Sequence, residues 1–175
     1  VKRFNDTEDF YRELRVYQAG LPMVPKLLSF KEREWINMER IDGQPYLNPD
    51  FGPEAAGRLA TTLARFHSAW SSEDLCLCHW DNQPRNILCS GGGFWFIDFS
   101  DSRLAQPEPD HSHLLLFWAP EYTAEAIKTL CGAFLEAYAK VIPLPPNPWH
   151  PALPRRLARF SARRRNPARR RHPVG

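Results

Sequence analysis

Apolar positions along the chain recur with two different periods, and the change of period marks its elements. The opening VKRF is short and extended. In DTEDFYRELRVYQAG, residues 6–20, apolar side chains return at Phe10, Leu14 and Tyr17. With Asp6 as N-cap, acids in the first turn and Gly20 to close it, this spacing predicts a helix. MVPKLLSF and EWINMERI predict two strands joined by the charged turn KERE at 31–34. A loop runs to Pro53, which suits a first helical position. From there to Trp70, positions 56, 59, 60, 63, 66, 67 and 70 keep the 3.6-residue period of a core helix. PEPDHSHLLLFW begins a further helix and YTAEAIKTLCGAFLEAYAK forms another, before the proline-rich linker VIPLPPNPWHPALP.

Between the helices lies a hairpin pattern. NILCS and FWFID flank three glycines, predicting paired strands 86–90 and 94–98 across a three-residue turn. In that register Ser90 faces Phe94, Leu88 faces Phe96, and Asn86 faces Asp98 on one side of the sheet, with Cβ atoms about 5 Å apart. An amide oxygen and a carboxylate so placed suit one Mg²⁺, whose shell is completed by water and phosphate oxygens. The pairing depends on the turn length, because a slip of one residue moves a side chain to the other face. Asp81 lies five residues before Asn86, in a loop interrupted by Pro84. Such a loop can turn its carboxylate toward the same place, where it would accept a proton from a hydroxyl. His79 is expected to brace that loop through a ring hydrogen bond. Each of these residues alone fits a plain turn position at a strand end; the facing set favours chemistry.

Composition narrows the class. An apolar fraction of 43% and an aromatic fraction of 13% are those of a globular chain. The longest uncharged apolar run, HLLLFWA at 113–119, is too short to span a bilayer. No signal-peptide pattern opens the chain. Cys76, Cys78, Cys89 and Cys131 lack framework spacing and predict reduced thiols in a cytoplasmic protein. Cys76-Leu77-Cys78, with Cys89 nearby, has no second ligand pair at zinc spacing, so buried free thiols are expected there. His67, on the apolar face of its helix, reads as a core histidine. His111 and His113 flank a serine at a helix start and receive no role. The net charge of +3 hides an uneven distribution, because residues 155–171 hold nine arginines and no acid while the remainder is acidic. That tail predicts a solvated appendage, with weak, salt-dependent contact to anions or nucleic acid.

HWDNQPRN, residues 79–86, is similar to the kinase catalytic loop H-x-D-x-x-x-x-N, and Ile97-Asp98-Phe99-Ser100 stands where the metal-binding D-F-G belongs. Together they resemble the aminoglycoside phosphotransferase-like small-molecule kinases. AQPEPD, 105–110, is a looser likeness of the G-D-P-x-x-D segment of that family. The resemblance implies an α+β protein kinase-like fold. A partial N-lobe and hinge would occupy 1–45, and a helical C-lobe with the catalytic loop and metal-binding hairpin 46–142. Residues 143–175 would be linker and tail without fixed structure. It further implies Asp81 as catalytic base, His79 as its support, and Asn86 and Asp98 as magnesium ligands. Lys2 would reach the ATP phosphates with Glu13 as its ion-pair partner, and Met38, Glu39 and Ile41 would form the adenine-binding hinge. ATP and Mg²⁺ are thus the implied cofactors, and a small-molecule hydroxyl the acceptor.

Nothing upstream of Lys2 supplies a glycine-rich loop over the phosphates, so the chain is expected to be N-terminally incomplete or degenerate. A pseudokinase, or a truncated kinase-like binding module without chemistry, is therefore the alternative reading. WAPEY, 118–122, contains the A-P-E of protein kinases, but no D-x-W-x-x-G follows and Gln83 replaces their usual lysine. Metal-dependent hydrolysis through His79 and Asp81 would need further histidines than these.

Overall fold

A computed structural model describes residues 1–72, 75–144, 146–149 and 153. Strand β1 (Lys2–Arg3) leads into α1 (Thr7–Gln18), whose first turn is capped by Asp6 accepting from the backbone N–H groups of Glu8 and Asp9 at 2.7 and 3.0 Å. The buried stripe of α1 holds Phe10, Leu14 and Tyr17 as the spacing predicts, and also Glu13. Strands β2 (Leu27–Lys31) and β3 (Trp35–Met38) form an antiparallel pair, and β1 joins the far side of β3 with Lys2 opposite Ile36. This small sheet, in the order β1-β3-β2, backs onto α1, where Phe10 meets Phe4 edge to face at 5.4 Å.

After the two-residue strand β4 (Gln44–Pro45), helix α2 (Pro53–Ala69) carries the centre of the core. Ala56, Leu59, Ala60, Leu63, Ala64 and Phe66 on it are all fully buried. Helix α4 (Ala124–Ala139) packs along it with Gly57 facing Ala133 and Ala137, so small residues set a close helix contact. Helix α3 (Glu108–Trp118) closes the group. Two more antiparallel sheets complete the described fold. In one, β5 (Ser71–Ser72), β6 (Leu75–Cys78) and β9 (Arg103–Ala105) lie in the order β5-β6-β9. In the other, β4 pairs with β7 (Ile87–Ser90) and β7 with β8 (Gly93–Phe96).

The hairpin forms, but not in the predicted register. Ile87 pairs with Phe96, Leu88 with Trp95, Cys89 with Phe94 and Ser90 with Gly93. The turn is therefore Gly91-Gly92 alone, with φ of +58° and +76°. Two glycines can both take the left-handed conformation whose twist suits a two-residue hairpin, so the third glycine joins the strand. Asn86 does not lie in a strand at all. It ends a 3₁₀ turn, Pro84–Asn86, and its carbonyl accepts from the backbone N–H of Ile97 at 3.0 Å. The predicted cross-strand pairing of Asn86 with Asp98 is thus absent.

No described helix is long and apolar enough to cross a membrane. Of the proline-rich segment, residues 146–149 come against α3, where His111 Nδ1 donates to the Pro148 carbonyl at 3.1 Å. The arginine-rich stretch at 155–171 lies outside the described residues.

Candidate active site

Strand β6 ends at Cys78, and the chain turns at once. Trp80 sits at φ +69°, in the left-handed region that a bulky side chain seldom occupies. What holds it there is Asp110, from the first turn of α3. One oxygen of this fully buried carboxylate accepts from the Trp80 N–H at 2.8 Å; the other accepts from the His79 N–H at 2.7 Å and from His67 Nε2 at 3.0 Å. Burial pushes the Asp110 carboxyl up, but His67 and the backbone donors outweigh it and hold the group below its ordinary range. Burial likewise works against a charged His67, yet the Asp110 carboxylate raises that imidazole to about 9. The indole of Trp80 lies under the Arg103 guanidinium at 4.5 Å.

His79 is fully buried and bridges two segments. Its Nδ1 accepts from the Asp81 N–H at 3.3 Å and its Nε2 donates to the Ile97 carbonyl at 3.0 Å. Burial depresses its pKa, consistent with a neutral ring serving one donor and one acceptor. The Pro84–Asn86 turn brings Asn86 back toward Asp81, so that the Asn86 amide donates to Asp81 Oδ2 at 2.8 Å and to the Asp81 carbonyl at 3.1 Å. Gln83 Nε2 donates to the same Oδ2 at 2.5 Å. No described residue donates to Asp81 Oδ1.

Asp98 follows the last paired residue of β8 by two positions and takes φ +64°. This left-handed step, which aspartate tolerates, sets its side-chain direction independently of the strand alternation. Its Oδ1 accepts from Lys2 Nζ at 2.7 Å, while Lys2 also bonds Glu13 Oε2 at 2.5 Å. Ser100 Oγ completes the cluster, 2.9 Å from Lys2, 3.0 Å from Glu13 and 3.1 Å from Asp98. Burial disfavours the Lys2 charge, but Glu13 and Asp98 raise its pKa above the ordinary value. Burial also pushes Asp98 up, and its bond to Lys2 more than offsets this, leaving it low. Glu13 stays high because burial exceeds the pull of Lys2. Behind the cluster Phe99 stacks among Tyr17, His79 and Phe66 at ring distances of 5.4, 5.1 and 5.8 Å. Phe99 therefore links Tyr17 of α1 to His79 through ring contacts.

Lys2, Glu13, Asn86 and Asp98 line one cleft of about 430 Å³, with Met38, Glu39 and Ile41 on its wall. Although the hairpin register differs from the predicted one, both expected metal donors thus face a common space. The 3₁₀ turn at Asn86 and the left-handed residue at Asp98 provide what strand pairing does not. The Asn86 amide nitrogen is engaged, leaving its oxygen as acceptor, and Asp98 Oδ2 lies outside the Lys2 bond. Two hard oxygens beside a lysine fit a magnesium-bound phosphate chain. On the wall, the Glu39 N–H donates to the Lys26 carbonyl at 2.8 Å. Sequence reasoning gave no role to Asp110, Ser100 or Gln83. The signal for Asp110 was the closing acid of AQPEPD; the other two are ordinary loop residues whose roles depend on the turns around them.

Comparison with known proteins bears on the fold. Residues 69–144 match the model of the phosphotransferase enzyme family. The choline/ethanolamine kinase family protein from Mesorhizobium loti is similar in structure, with a TM-score of 0.55 and 16% identity over 92% of this chain and 67% of that one. The gentamicin complex of APH(2″)-IIa has a TM-score of 0.56 and 16% identity, covering 93% of this chain and 73% of that one. No curated protein sequence matches. The resemblance carried by the H-x-D-x-x-x-x-N and I-D-F segments is therefore met by the family model and by both structures, and the fold is the one those kinases share.

Proposed function

We propose that this chain performs ATP- and magnesium-dependent phosphoryl transfer to a hydroxyl of a small molecule. The observation that carries the reading is a single cleft. It brings Lys2, paired to both Glu13 and Asp98, together with Asn86, which is itself bonded to Asp81. Lys2 neutralises phosphate oxygens, and its bond to Glu13 holds the ammonium in place. Asn86 and Asp98 would hold the metal, whose bound charge screens the transferring phosphate. Asp81 takes the acceptor proton on Oδ1 while Gln83 and Asn86 fix Oδ2, so the carboxylate cannot rotate away from the hydroxyl. His79 ties the backbone of Asp81 to the residue preceding Asp98, coupling the base to the metal ligand.

Thermal unfolding of the chain with ATP, Mg²⁺, both and neither tests nucleotide binding, since a ligand specific for the native state raises Tm. Stabilisation should require both and vanish in Asp98→Asn. Acceptor-dependent ADP release across a panel of hydroxylated metabolites then tests transfer. Absence of any MgATP stabilisation refutes the proposal. Stabilisation without ADP release from any acceptor supports the binding-module reading instead.

A further inference from the structure

Outside the residues that line the cleft, His67, Cys76 and Cys78 bring one donor atom each to within 4.8 Å of one another. All three are buried, at 0, 6 and 0% exposure. The C-x-C pair alone lacks ligands at zinc spacing along the sequence. The fold supplies them from elements distant in the chain. Residues two apart on β6 send both thiols to one face, α2 lays His67 against that face, and β9 pairs Ala105 directly with Cys76.

The distances have the proportions of a coordination shell. Cys76 Sγ and Cys78 Sγ are 3.6 Å apart, close to the ~3.8 Å edge that two thiolates keep around a tetrahedral zinc at a Zn–S distance of about 2.3 Å. The Ala105 carbonyl oxygen lies 3.5 Å from one sulfur and 3.6 Å from the other. That matches the ~3.6 Å sulfur–oxygen edge expected for a Zn–O distance of about 2.1 Å. His67 at present bonds Tyr138 through Nδ1 at 2.7 Å and Asp110 through Nε2. Coordination displaces one of the two. Releasing Tyr138 leaves the Asp110 bond as the carboxylate contact that metal-binding histidines commonly keep on their other nitrogen.

We propose that Cys76, Cys78, His67 and the Ala105 carbonyl form a structural site for a borderline-soft divalent cation, Zn²⁺ foremost. The sulfur pair selects against Mg²⁺ and Ca²⁺, and the two thiolate charges balance the ion. In the metal-free form the thiols donate to backbone carbonyls, as Cys78 does to Gln106 at 3.2 Å. On binding, two S–H bonds give way to two S–metal bonds and the charged His67 ring gives up the proton on its coordinating nitrogen, so three protons pass to the buffer with no change of oxidation state. Because Cys78 immediately precedes His79, the ion would rivet α2 to the strand that leads into the catalytic loop.

The test uses the full chain, kept reduced and stripped with a chelator, and titrated with Co²⁺. One equivalent should produce the near-ultraviolet thiolate-to-cobalt band and the strong visible bands of a tetrahedral site. Zn²⁺ should abolish both, and metal binding at neutral pH should release about three protons per ion. Cys76→Ser and Cys78→Ser should each remove the near-ultraviolet band and weaken Zn²⁺ binding by about 100-fold or more. Cys89→Ser, outside the cluster, should leave both unchanged. A wild-type chain without the thiolate band overturns the proposal, as does a band that survives either β6 substitution or is lost in Cys89→Ser. The wild-type spectrum decides even if a variant fails to fold.

Discussion

Replacing Asp110 by asparagine isolates the contact that holds the turn at His79 and Trp80. The amide keeps the volume and one oxygen, so the Trp80 N–H retains an acceptor. The second oxygen becomes an NH₂ group facing two donors, the His79 N–H and His67 Nε2. A buried ion pair is thereby broken from one side, which typically costs about 3–5 kcal/mol. For a chain of this size, roughly 2–4 °C of Tm accompanies each kcal/mol, so Tm should fall by about 6–20 °C. The pH profile of the difference from wild type separates this cause from a mere packing fault. Asp110 has a depressed pKa, so its contribution is present above its ordinary 3.8 and is lost as pH falls through the folded value. His67 is raised to about 9, so its contribution is complete below 6.5 and is lost as pH rises through about 9. The Tm gap should therefore be widest between about pH 4 and 6.5 and shrink on both sides. Melting curves followed by circular dichroism from pH 3 to 10 give the profile. A gap under about 2 °C, or one flat across that range, refutes the reasoning.

Three further outcomes follow from the geometry. Asp81→Asn should lower turnover by about 10²- to 10⁴-fold in the ADP-release assay while leaving the MgATP thermal shift intact; an unimpaired rate removes Asp81 from the base role. Gly43→Ala would place a Cβ 2.8 Å from the Cys89 carbonyl oxygen, across the β4–β7 pairing. Backbone cannot yield there cheaply, so a loss of about 1–3 kcal/mol is expected from denaturant titration, and an unchanged midpoint contradicts it. Gly91, at φ +58° with open space around it, should accept asparagine with little or no loss of Tm but lose stability with valine; equal melting of the two variants would show that the turn tolerates another conformation.

Local pattern was enough for α1, α2, α4 and the β2–β3 pair, because each depends on interactions within a few residues of chain. An Asp6 cap, a 3.6-residue stripe and a charged turn each act between residues close in the chain. The hairpin shows where local reasoning reached its limit. Glycine placement announced a turn, but whether two or three glycines make it depends on strand twist and on the neighbours that β7 and β8 must meet. The structure has two.

Residue type, spacing and the likeness to H-x-D-x-x-x-x-N and I-D-F segments marked out Asp81, Asn86 and Asp98 together with His79 as candidates. Their mutual placement came from tertiary structure, and by a different route from the one periodicity suggested. A 3₁₀ turn and a left-handed aspartate, rather than facing strand positions, direct Asn86 and Asp98 to one cleft. Asp110 lies 29 residues after Asp81, and His67 twelve before His79. No local period links them, because a buried charge is placed by whichever donors the packed core leaves unsatisfied, and those exist only once helices and sheets have met.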